Sequence, residues 1–189
     1  MKELTQQDKM QLAKIAKSTL TWCLGFDATP TLIDLKASAS EATKQPFGVE
    51  IIFKKWGSLR SKSHTIFTQE PGYKNIINNV ITATKKAALF EPIRQDELQY
   101  LTLEIYIITP PHPIKDHKEI NLSEQGIVFE DKHHEAMFLP GTSTQFNWDL
   151  NTTLDNLCKK AGLAPHHWKQ HGRFMVFEKI PIYLEKNPL

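Results

Sequence analysis

The stretch FGVEIIFKKWGSLRSKSHTIF, residues 47–67, decides how the rest of the chain is read. In its first half Phe47, Val49, Ile51 and Phe53 alternate with Gly48, Glu50, Ile52 and Lys54, the period-two pattern of a strand with one better-buried face. Gly57-Ser58 then supplies a tight turn, where glycine tolerates the positive φ that other residues resist. A second strand, Leu59 to Phe67, follows as the partner of a β-hairpin. Alternation along it places Arg60, Lys62 and His64 on one face and Ser61, Ser63 and Thr65 on the other.

Helical periodicity flanks this hairpin on both sides. Leu12, Ile15, Ala16, Thr19, Leu20, Cys23 and Leu24 recur at three- and four-residue steps, with Thr5 and Asp8 spaced as a capping box and Gly25 as the stop. The mixed stretch Asp27 to Pro46 reads as an excursion across the surface. A second amphipathic helix is predicted from about Tyr73 to Leu89, ending before Pro92. Leu101, Leu103, Ile105 and Ile107 alternate as a strand stopped by Thr109-Pro110-Pro111, because proline cannot donate to a ladder. Gly126–Phe129 and Ala136–Leu139 read as a second hairpin, Leu150 to Ala161 as a third helix closed by Gly162, and 173–177 with 182–185 as closing strands. The prediction is therefore a single α+β domain over residues 1–189: a mostly antiparallel sheet of five or more strands packed with about three helices, with room for a small subdomain.

Composition bounds the function. Lys and Arg number 23 against 21 Asp and Glu, a net charge of +2 that lacks the strong field of a dedicated nucleic-acid binder. The basic strip Lys54, Lys55, Arg60 and Lys62 has no aromatic-studded groove beside it in the pattern, so nucleic acid is not the expected partner. No run reaches the roughly 18 apolar residues needed to cross a bilayer. The polar first ten residues and the two widely separated cysteines, Cys23 and Cys158, place the expectation in the reducing cytoplasm. Both thiols fall on apolar helix faces and read as core cysteines.

Read in order, Phe138-Leu139-Pro140, Trp148-Asp149, Leu154, Leu157-Cys158, Lys160-Ala161-Gly162-Leu163, Trp168, Phe177-Glu178 and Glu185 resemble the signature series of the AMMECR domain family, AmmeMemoRadiSam system protein A. Leu103 to Pro110 and Gly48 to Arg60 extend the resemblance across nearly the whole chain. Family members usually carry leucine-arginine-glycine-cysteine-isoleucine-glycine after the first hairpin turn. Here the chain reads Leu59-Arg60-Ser61-Lys62-Ser63-His64, so the cysteine position falls on Lys62 and the two glycines on Ser61 and His64. A thiol nucleophile is missing from that strand. The resemblance implies a protein of unsettled biochemical activity, associated with a Memo-type protein and a radical SAM enzyme.

Two functions compete for the altered strand. In the first, the chain is a non-catalytic binding or accessory protein whose cleft beside Arg60, Lys62 and His64 takes a small anionic ligand on three donors. In the second, it is an enzyme acting on a small anionic substrate, with His64 as general acid or base and Arg60 and Lys62 stabilising negative charge. Ser61 or Ser63 paired with His64 as nucleophile and base meets the objection that strand neighbours point to opposite faces. The histidine pairs His133-His134 and His166-His167, and His112 with Asp116 and His117, read as surface loops, and the chain is expected to need no metal or cofactor. Trp148 and Trp168 read as packing anchors.

Overall fold

The computed structural model describes residues 4–26, 34, 39–85, 89 and 91–186. The surface excursion predicted for 27–46 and the end of the second helix beyond Lys85 lie largely outside them. The chain divides into two compact units, Met1–Ile108 with Ile180–Leu189, and Thr109–Lys179.

The first unit opens with helix α1, Gln6–Cys23. Its start is fixed as the sequence predicts: the Thr5 hydroxyl accepts from the Asp8 amide, and the Asp8 carboxylate accepts from the Thr5 amide at 2.9 Å. Strands β1, Gly48–Lys55, and β2, Ser58–Thr65, form the hairpin. Its turn holds Trp56 at φ 52° and Gly57 at φ 80°, both left-handed as a primed two-residue turn requires. Helix α2, Gly72–Lys85, follows, and strand β3, Leu101–Ile108, comes after a 3-10 turn at Gln95–Tyr100. β1 lies between β2 and β3 and pairs with both antiparallel.

The odd-numbered residues Val49, Ile51, Phe53, Leu103 and Ile105 are all at 0% exposure and join Leu12, Ile15, Leu20, Ile76 and Val80 in one core. Gly72 is required here. The Phe47 ring occupies the space of its absent side chain, 1.9 Å from where a Cβ would stand. Glu185 closes the unit by bonding Leu103 twice, its amide to the carbonyl at 3.0 Å and its carboxylate to the amide at 3.2 Å, while also pairing with Lys17 of α1.

In the second unit, strands β4, His112–Ile114, β5, Gln125–Asp131, and β6, His134–Phe138, are joined by the short helix α3, Thr142–Gln145, and by α4, Leu150–Lys160. Strand β7, Arg173–Leu184, is continuous where the sequence predicts two pieces, and its first part lies between β4 and β5. β4 is an addition to the prediction; its Pro113 is tolerated because a three-residue strand pairing on one side has little ladder to lose. Asp149 caps α4 by accepting from the Thr152 amide at 2.7 Å. The core of this unit gathers Ile127, Phe129, Leu154, Leu157, Phe174 and Val176. The α+β class and the antiparallel sheet hold.

Candidate functional site

The altered strand does not present its polar residues as simple alternation predicts. β1 and β2 stay in register from Val49 opposite Thr65 to Phe53 opposite Ser61, and then the register slips so that Lys54 faces Leu59. Arg60 is the extra residue of this bulge, and a bulge re-aims the side chain it carries. Its guanidinium turns to the 91–97 segment, donating to Glu97 through Nε at 2.8 Å and Nη2 at 2.9 Å, and to the carbonyls of Glu91 and Pro92. Lys55 Nζ and the Arg94 amide also reach Glu97. The Arg60 guanidinium, with these two donors, holds the Glu97 carboxyl down at about 2 against an ordinary 4.5. Arg60 is thus spent in a structural clamp, and the expected trio of donors on one face is reduced to Lys62 and His64.

Ser61, Ser63 and Thr65 point the other way, toward α2. The fully buried Ser61 hydroxyl donates to the Ala83 carbonyl at 2.6 Å, Ser63 donates to Asn79 Oδ1 at 2.7 Å, and Asn79 Nδ2 donates to Thr65 Oγ1 at 2.9 Å. Neither serine can serve as a nucleophile for His64 from the opposite side of the strand.

Lys62 and His64 share their face with the even-numbered residues of β1 and β3. Across the three strands one row runs His64, Glu50, Tyr106 and the next Lys62, Ile52, Glu104. Lys62 and His64 are exposed, whereas Glu50 is only 2% exposed. Glu104 accepts from Lys54 Nζ at 2.6 Å and from the Tyr106 hydroxyl at 3.0 Å, one bond on each oxygen. Burial, then the carboxylates of Glu104 and Glu50, push the Tyr106 phenol well above its usual range, so it stays a neutral hydroxyl at every physiological pH. The result is a polar sheet face with Lys62 and His64 exposed at its edge and carboxylates set deeper.

Glu50, Glu104 and Tyr106 were not singled out by sequence reasoning. The signal that would have found them is a glutamate inside an apolar strand and another on the neighbouring strand at the same alternation phase, but it becomes visible only once the register is known.

The histidines of the second unit are dispersed. His134 Nδ1 lies 2.9 Å from the Ala161 carbonyl, His167 Nε2 is 2.7 Å from Asp131, His166 Nδ1 is 2.9 Å from Asp155, and His117 packs edge-on against Trp168. Among the described residues no group of three His, Cys, Asp or Glu is arranged to hold a metal ion. A broad hollow does lie around the 130–135 turn with Gly172 and Arg173, but two of its charged groups answer partners in the same unit, Arg173 to Glu130 and Asp131 to His167. Cys23 is half-buried and Cys158 buried, and burial pushes both thiols up, away from the nucleophilic thiolate. No helix among the described residues is long and apolar enough to cross a membrane.

The AMMECR1 family profile matches residues 13–181. A protein of Methanosarcina barkeri is 26% identical over 98% of this chain and 94% of its own length, and one of Methanothermobacter thermautotrophicus is 29% identical over 86% of each. A crystal structure of an uncharacterised protein from Pyrococcus horikoshii superposes with a TM-score of 0.75 at 18% identity, covering the whole of both chains, which establishes the shared fold. With the profile spanning all but the ends of the chain, this protein belongs to the AMMECR1 family.

Proposed function

We propose that the chain is a binding protein whose polar β1–β2–β3 face takes a small anionic ligand on Lys62 and His64. The observation that carries this reading is the placement of Glu50, an ionisable side chain 2% exposed at the middle of the face, with the exposed Lys62 and His64 beside it. Burying a carboxyl costs free energy, and structures keep such groups where they set the properties of a site. Lys62 is the cation of the strip left over: Lys54 is engaged by Glu104, and Lys55 and Arg60 by Glu97, whereas Lys62 makes no ion pair with a described residue. Inorganic phosphate titrated into isotope-labelled protein should shift the amides of residues 62–64, and Lys62→Ala should abolish those shifts. Wild-type protein whose 62–64 amides ignore phosphate would end this reading.

A second reading, an enzyme using His64 as general acid or base, is favoured by the same carboxyl lying across the ladder from the imidazole, since a carboxylate behind a histidine is how many general bases are oriented. Turnover of p-nitrophenyl phosphate above background, lost in His64→Gln, would move the assignment to the enzyme; binding without turnover leaves it with the first.

A further inference from the structure

Resting on the binding reading above, we propose that Glu50 is a positioning residue: across the β1–β2 ladder it holds His64 in its protonated form beside Lys62, and so makes the capture of a phosphate-class anion depend on pH. Residues directly opposite on antiparallel strands have side chains about 5 Å apart at Cβ. Glu50 and His64 are such a pair. An opposite charge at about 4–6 Å favours the imidazolium, the more so when the carboxylate is shielded from water, as the 2% exposure of Glu50 provides.

Three other polar groups on this face answer one another. From β1, Lys54 is tied to Glu104 at 2.6 Å; from β3, Glu104 is that partner and Tyr106 is a neutral phenol that donates to it. On β2 itself, Lys62 is like-charged and opposes protonation of His64, which is why a counter-charge beneath the imidazole is needed to keep two cations two residues apart. Counting Glu50, Lys62 and His64, the face carries about +1 below the titration of His64 and about zero above it. Anion affinity is therefore present at low pH and lost as pH rises through the titration of His64. Glu50 moves that loss to higher pH.

The test follows the ring-proton shift of His64 and the affinity for inorganic phosphate across pH, in wild type and in the isosteric Glu50→Gln. The expected result is that His64 loses its proton at lower pH in Glu50→Gln, and that the fall in phosphate affinity moves down with it. The absolute affinity of the variant is not the criterion, because removing a negative charge strengthens any anion contact; only the pH of the fall reports positioning. His64→Gln, at an exposed position, supplies a second handle: it should bind phosphate more weakly than wild type at low pH and show no fall as pH rises. If phosphate binds and His64 titrates at the same pH in both proteins, Glu50 has no such role and the proposal is overturned. If phosphate binds at no pH, the binding reading itself falls, whatever His64 does.

Discussion

On the side of the β1–β2–β3 sheet that α2 covers, every polar side chain of β2 has a near partner: Ser61 on the Ala83 carbonyl, Ser63 and Thr65 on Asn79. On the other side, one residue away along the same strand, Lys62 and His64 stand open to water over a carboxyl that is almost wholly buried. The first face spends its hydrogen bonds on holding a helix. The second leaves Lys62 exposed and without an ion pair to a described residue. The difference teaches that in a single strand the serines belong to the scaffold, while the lysine and histidine are left for the ligand role proposed above.

The sharpest way to break this division is to attack the packed face. Phe53 is at 0% exposure in the first unit's core, and Phe53→Ala should cost about 3–5 kcal/mol in urea unfolding. A cost near that of a surface change would mean that the packed face is not the structural one.

Next in size is the clamp at the bulge, which tests whether Arg60 has left the ligand face. Glu97 is 6% exposed and meets Arg60, Lys55 and the Arg94 amide, so Glu97→Gln should cost about 3 kcal/mol at neutral pH, as for other largely buried ion pairs stripped of a partner. Because the folded value of Glu97 lies at about 2, below its ordinary 4.5, its stabilisation is complete above 4.5 and is lost as pH falls toward 2. The wild type should therefore lose stability over that window more steeply than Glu97→Gln. Phosphate shifts at 62–64 should survive the substitution. Their loss would return Arg60 to the site.

Much of this was legible in the sequence. The capping box at Thr5, the hairpin turn at Gly57, the third helix to Lys160 and the family series each depend on contacts within a few residues or on a pattern of fixed spacing, and such signals do not need the tertiary structure. The site was legible only in part. Lys62 and His64 could be assigned a face because period two is local, but Arg60 obeys the same period and still escapes it, because the bulge that diverts it is a property of two paired strands. Glu50 was read as the polar phase of a half-solvated strand; that it is buried opposite His64 is a fact of cross-strand register and cover, which one strand's sequence does not contain. The same holds for β4, which exists only through its pairing with β7.

The smallest effect is also the most discriminating, because it compares adjacent residues. Ser61→Ala removes a buried hydroxyl from the Ala83 carbonyl and should cost about 1 kcal/mol, with no change in phosphate binding. Lys62→Ala, one residue on, removes an exposed side chain that pairs with no described residue, and stability should stay within about 0.5 kcal/mol of wild type. If the two faces are divided as described, stability and phosphate response must exchange places between these neighbours. Urea midpoints and amide shifts measured on both variants decide it: a Lys62→Ala protein that is destabilised as much as Ser61→Ala would make the lysine part of the scaffold, and the open face would lose the residue that gives it a ligand.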